Sequence, residues 1–327
     1  MKGHSCLTVL RIAAFSLTLL LLAAAPVLPW GGYSHRLVNW YAVENLPSGM
    51  IDDGSGNAFG DNQAFLRDHS SDPDLQKAYD LDESPRHWCD IDSQVETYPP
   101  PFDTVPRDYD TYVGIFGRDN GVVQWEGIRD HYDSLVELMR AQNWYMAYQR
   151  AAELGHYIAD ATCPLHCTAN YDGQLSADSR NVGIHSRYES EMIYRYITSI
   201  ATTPGSAARV EDRVELGFDI VSPSWYLVDD IMTADSEVQD LNGDYNFDDT
   251  YYQLLFDRLG TDAQAQLNLA AQRLADIWYT AWDDAGRPSF TQAALTVNFQ
   301  PIGALAPTGY GIDGGFDYGP FGTYGWQ

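Results

Sequence analysis

Lysine is nearly missing from this chain: of 327 residues only Lys2 and Lys77 are lysine, and Lys plus Arg total 19 against 46 Asp plus Glu. The net charge of −27 and a pI near 4.3 repel polyanions at long range, which argues against tight, extended binding to a nucleic-acid duplex. Such a surface does not exclude a cationic pocket built from metal ions. Runs with convincing two-residue alternation are also few, so a β architecture is disfavoured. What remains is a chain with 45% hydrophobic residues, ordinary for a globular protein with a substantial core, and a predominantly helical pattern.

Residues 1–29 read as a secretory signal peptide. Lys2 and Arg11 precede the apolar run Ile12 to Ala25, which is too short for a comfortable membrane span. A secreted or periplasmic location is the expectation. Cys6 would leave with the signal, so Cys89, Cys163 and Cys167 remain, an odd number for an oxidising compartment. One disulfide and one free thiol are expected.

A helix is predicted from His35 to about Asn45, before Pro47. Ser48 to Asp110 reads mainly as loops with one or two short helices. Two long helices follow, one from about Val122 and one beginning after Asn143, and they are expected to pack antiparallel. Further helices are predicted from near His185, at 206–220, at 223–235 and at 250–284. The segment 291–327 is rich in Gly and aromatics and reads as a tail or a truncated β module; residues 30–290 form the main domain.

The densest chemistry lies in Leu154 to Tyr171, LGHYIADATCPLHCTANY. His156 and Asp160 are four apart, so a helix stacks imidazole over carboxylate on one face. Cys163-Pro164 should end that helix and leave His166 on the next turn. His185 and Glu189 repeat the spacing of the first pair. A single pair of this kind is common on solvated helix faces; two pairs plus His166 point to metal.

These motifs, together with Trp30 five residues before His35 and Asp72 fifteen before His87 in SPRHWCDID, resemble the zinc-dependent phospholipase C and single-strand-specific zinc nuclease superfamily. The resemblance spans Trp30 to about Ile200 and implies an all-α multi-helix bundle around three zinc ions. By that resemblance one zinc takes Asp72, His87, His156 and Asp160. A second takes His166, His185 and Glu189, and a third takes Trp30, His35 and Asp160. Adjacent zincs would lower the pKa of a shared water, yielding a bridging hydroxide that attacks phosphorus in line, with Asp72 and Asp160 as the carboxylates nearest the chemistry. The implied reaction is phosphodiester hydrolysis.

Two branches of the superfamily differ in substrate. The short spacing from Trp30 to His35 is similar to the nucleases, whereas Glu189 is phospholipase-like. Counted from Asp72, the transition-state arginine of the nucleases falls on Leu75. The loop NYDGQLSADSRNVGIHSRYESEM resembles bacterial exported proteins of the phospholipase C side. A phospholipase C-like enzyme acting on a phospholipid headgroup or other phosphodiester is therefore favoured over a single-strand-specific endonuclease or 3'-nucleotidase acting on single-stranded nucleic acid, and no stable protein partner is implied. A non-catalytic zinc-binding module is the alternative of another class.

The cluster so implied would bring Cys89 near Cys163 and Cys167, and a disulfide from Cys89 to one of them is the working expectation. Thiolate ligation of zinc is the alternative. Finally, Asp240, Asn242, Asp244, Asn246 and Asp248 alternate as in a calcium loop, although Tyr245 replaces the turn glycine and Tyr251 the closing acid. Calcium at Asp240, Asn242 and Asp244 competes there with an acidic interhelical loop holding no ion.

Overall fold

The computed structural model describes residues 31–93 and 102–291; Trp30, the signal segment and the tail from 292 lie outside that range. The described residues are helical with no strand, an all-α multi-helix bundle, and no helix among them is long and apolar enough to cross a membrane.

Six longer helices organise it: α1 (Gly32–Glu44), α2 (Asp130–Arg140), α3 (Trp144–Thr162), α4 (Arg213–Trp225), α5 (Val228–Asn242) and α6 (Asp249–Asp284). Asp248 caps α6 by accepting hydrogen bonds from the N–H groups of Thr250 and Tyr251, and Asp212 caps α4 in the same way through Val214 and Glu215. The 36 residues of α6 form a spine against which α1, α2, α3 and α5 pack. Inside this frame α3 is buried on all sides from Ala151 to Thr162. Its ionisable residues His156 and Asp160 therefore sit in the core, where they need partners.

Close approach of α1 to α3 decides where the first histidine goes. A Cβ on Gly155 would lie 1.9 Å from the side chain of Asn39, so glycine is what lets the two helices touch. Asn39 Nδ2 donates to the carbonyls of Leu66 and Ala152 across the same contact. One turn back along α1, His35 stacks on His156 with ring centroids 3.8 Å apart.

The helix predicted at 206–220 begins instead at Arg213, and residues 201–210 run along α6 without helical structure. The reason is a row of α6 side chains at four-residue spacing that satisfies this segment's backbone. Gln264 accepts from the Ala201 N–H, Asn268 from Thr203, Asp276 from Ala208 and Thr280 from Val210, while Gln272 donates to the Ser206 carbonyl. With its polar backbone groups met by side chains, the segment needs no helix of its own. The helix predicted at 223–235 is likewise displaced, running from Val228 to Asn242. Of the loop region, Ser48–Ile51, Gln63–Asp68, Asp72–Gln76 and Ser84–His87 are single helical turns.

Candidate metal centre

Residue spacing on α3 brings His156 Nε2 to 3.2 Å from Asp160 Oδ2. His156 Nδ1 lies 2.8 Å from the Ser70 carbonyl, which leaves Nε2 to face the cluster. His87, at the end of the turn Ser84–His87, places Nδ1 2.8 Å from Asp160 Oδ2 and 3.0 Å from His156 Nε2. On the other side of the same carboxylate, Oδ1 lies 3.5 Å from His35 Nε2 and 3.6 Å from His166 Nδ1. Asp160 thus faces imidazoles with both oxygens.

The loop aspartate at this cluster is Asp74 and not Asp72. Asp74 Oδ1 lies 3.6 Å from His156 Nε2 and 3.8 Å from His87 Nδ1. Asp72 opens the turn Asp72–Gln76 and points away, with Oδ2 2.7 Å from His69 Nδ1 and accepting from Gln149 Nε2 at 2.8 Å. The two residues straddle Pro73: Asp72 meets α3 at Gln149, and only Asp74 reaches the histidine cluster. A consequence concerns the neighbouring cation. Counted from Asp74, the third residue is Lys77 instead of Leu75, and Lys77 Nζ lies 2.9 Å from Asp74 Oδ1.

A second group forms where α3 ends. Cys163 takes an extended conformation before Pro164, and the turn Pro164–His166 delivers His166, its Nδ1 2.7 Å from the His87 carbonyl. His166 Nε2 then lies 3.4 Å from Glu189 Oε2, and His185 Nε2 3.0 Å from the same atom. Glu189 belongs to a π-helical stretch, Arg187–Met192, the kind of widened turn that is frequent at functional sites. The half-exposed Tyr171 sets its ring against His185, centroids 5.8 Å apart.

The electrostatics favour cations throughout. Burial opposes a charge on His156, but Asp160 and Asp74 outweigh it and push the imidazole up to about 10. His166 is likewise raised, with Asp160 and Glu189 overcoming its burial. Although burial alone would raise them, Asp160, Asp74 and Glu189 are held below the usual carboxylate range by these histidines. The field that holds protons here would hold a divalent ion in their place.

The residues fit that role by another criterion. Asp160 Oδ1, Asp74 Oδ2 and His185 Nδ1 are buried without a hydrogen-bond partner, and His166 Nε2 and His185 Nε2 have only the Glu189 carboxylate beside them. Leaving such atoms unsatisfied costs roughly 1–3 kcal/mol each, and a cation would satisfy several at once. Among the described residues, three groups of buried side chains could hold metal ions: His35, Asp74 and His156; His87, His156 and Asp160; and Cys163, His166 and Glu189.

Sequence reasoning missed Glu83. Its Oε1 lies 3.1 Å from His87 Nε2 and accepts from Tyr157 Oη at 2.5 Å, and its second oxygen accepts from Arg86. Burial is outweighed by these partners, so the Glu83 carboxyl is brought down to about 2. It is the outer carboxylate of a carboxylate–histidine pair, orienting His87 so that Nδ1 faces the cluster. Its position four residues before His87 was the available signal. His131, by contrast, is buried against the Tyr157 ring, away from the cluster.

The expected disulfide is corrected, and the acidic loop has a partner of its own. Cys89, Cys163 and Cys167 are free and buried: Cys89 Sγ lies 3.6 Å from Tyr112 Oη, Cys167 Sγ donates to the carbonyls of Cys163 and Ala161, and Cys163 Sγ to Glu189. Each thiol has its own partner in a different direction. In the loop Asp240 to Asp248, Arg180 Nη1 bridges Asp240 and Asp244 at 2.7 and 2.6 Å, while Asn242 Nδ2 donates to the Asn246 carbonyl and Asp248. A guanidinium thus supplies at Asp240 and Asp244 the charge that calcium would bring, which is the arrangement of an acidic interhelical loop.

No family model matches the chain, and no curated protein matches it.

Proposed function

We propose that this protein is an exported, zinc-dependent phosphodiester hydrolase of the phospholipase C type. The observation that carries the reading is Asp160: a fully buried carboxylate on the most buried helix, with Oδ2 toward His87 and His156 and Oδ1 toward His35 and His166. A carboxylate so placed serves to link adjacent ions. Asp74, His87, His156 and Asp160 would hold one zinc; His35 and Asp160 a second, with Trp30 as the remaining expected ligand; His166, His185 and Glu189 a third. Zinc would supply Lewis acidity toward a phosphoryl oxygen and lower the pKa of water to near neutrality.

The chain's own residues divide the remaining work. Ser70 and Glu83 fix the orientations of His156 and His87. Lys77 brings a cation to Asp74, where it would stabilise charge on phosphate oxygens. Tyr171 offers an aromatic face beside His185 for a cationic headgroup or a base. Lys77 also favours a second reading, a single-strand-specific nuclease, because it puts a cation, although a lysine, where the nucleases that the motifs resemble carry an arginine, three residues after the loop aspartate.

Zinc-loaded protein assayed on phosphatidylcholine vesicles and on single-stranded DNA separates these readings. Release of phosphocholine supports the first and cleavage of DNA the second. Zinc bound, as verified by elemental analysis, with neither substrate cleaved would leave a metal-binding module and refute the hydrolase.

A further inference from the structure

Among the described residues, Cys163 is the one thiol that touches the candidate metal groups. Its Sγ donates to Glu189 Oε2 at 3.6 Å, the oxygen that His166 Nε2 approaches at 3.4 Å and His185 Nε2 at 3.0 Å. Sγ and the ligand atoms of His166 and Glu189 lie within 4.8 Å of one another, all in the core.

These separations can be compared with the edges of a zinc tetrahedron. With zinc–sulfur bonds of about 2.3 Å and zinc–nitrogen or zinc–oxygen bonds of about 2.0–2.1 Å, tetrahedral angles give edges of roughly 3.6 Å from S to O and roughly 3.3 Å from N to O. The Cys163–Glu189 and His166–Glu189 distances of 3.6 and 3.4 Å match, and the His185–Glu189 distance of 3.0 Å is a few tenths short. His166 Nε2 is buried with only the Glu189 carboxylate beside it, so it has a lone pair to give to an ion shared with that carboxylate. Pro164 holds Cys163 in its extended conformation, with the side chain toward Glu189.

We infer that Cys163 joins His166 and Glu189 as a protein ligand of the ion at this group. On binding, the thiol proton leaves to solvent and a thiolate–metal bond forms. The inference rests on the metal-centre reading above and deepens it.

The test is to strip the protein of metal, reload it with cobalt(II) and record the near-ultraviolet thiolate-to-cobalt charge-transfer band. The band is expected in the wild-type chain and in the Cys89→Ser and Cys167→Ser variants. It should be lost in Cys163→Ser, which should also bind one ion fewer or bind it at least tenfold more weakly. X-ray absorption at the zinc edge of the wild-type protein gives a reading independent of any variant's folding: one zinc in three should show a sulfur neighbour. A purely nitrogen and oxygen shell, or a band that survives in Cys163→Ser, would overturn the inference and leave Cys163 a hydrogen-bond donor to Glu189. Failure to take up any metal would overturn the wider reading as well, so the two failures are distinguishable.

Discussion

Asp160 and Asp244 both lie in runs whose residues recur at metal-ligand spacing, yet they are neutralised in different ways. Asp244 is exposed and, with Asp240, held by the Arg180 guanidinium; Asp160 is fully buried, and the groups that face it are imidazoles. An arginine remains charged and cannot yield to an ion, whereas an imidazole can lose its proton and become a ligand. Spacing alone does not distinguish the two regions. The type of cation that folding brings to each carboxylate does.

The largest effect is expected from changing the buried aspartate. Asp160→Asn should lower hydrolysis by about a thousandfold or more, since the loss of a shared ligand removes several kcal/mol of charge stabilisation. It should also release metal from two sites, measured by elemental analysis. Smaller is the effect of the residue behind His87. Glu83→Gln should weaken metal binding by roughly 10–100-fold in a chelator competition, with Glu83→Asp recovering part of it, because Glu83 orients a ligand without being one.

Opposite behaviour is expected from the exposed loop. Arg180→Gln should leave zinc content and activity unchanged, because neither depends on the Asp240 to Asp248 loop. Calcium should not raise the melting temperature of the wild-type chain, since Arg180 already occupies the carboxylates. A clear calcium-dependent rise would mean the ion displaces the arginine and would erase the distinction.

His131 shows what a core histidine without a metal group does. Burial holds its pKa down to about 3 against a reference of 6.5, with Arg150 reinforcing the shift. The folded state therefore resists a proton that the unfolded chain accepts. The resulting stability is present above pH 6.5 and is lost as pH falls toward about 3. His131→Leu should accordingly narrow its stability gap to the wild type on acidification, as read by denaturant unfolding at a series of pH values.

Much of this was readable in the residues, and the misses have physical causes. Helical periodicity marked α1, α3 and α6 because each keeps the 3.6-residue pattern over many turns. The 201–210 segment defeated it, since its backbone is satisfied by side chains some 60 to 70 residues distant on α6. Within the site, His156, Asp160, His166, His185 and Glu189 were visible as local pairs, and the structure does bring them together. The choice between Asp72 and Asp74 was not visible: spacing to His87 is nearly the same for both, and only the direction each takes from a single helical turn separates them. Glu83 escaped notice because its role depends on which His87 nitrogen faces inward. The thiols were expected to pair because they are close in sequence to the cluster, but nearness along the chain says nothing about the direction of Cβ.

The central claim is that the Asp160 cluster is a metal centre, and the most direct measurement is zinc stoichiometry after chelation and reloading, on the wild-type chain and on Asp160→Asn. Three zinc ions per wild-type chain, with a loss of at least one in the variant, is the expected result. A wild-type protein that folds yet retains no zinc, or an Asp160→Asn variant with the full wild-type complement, would contradict it.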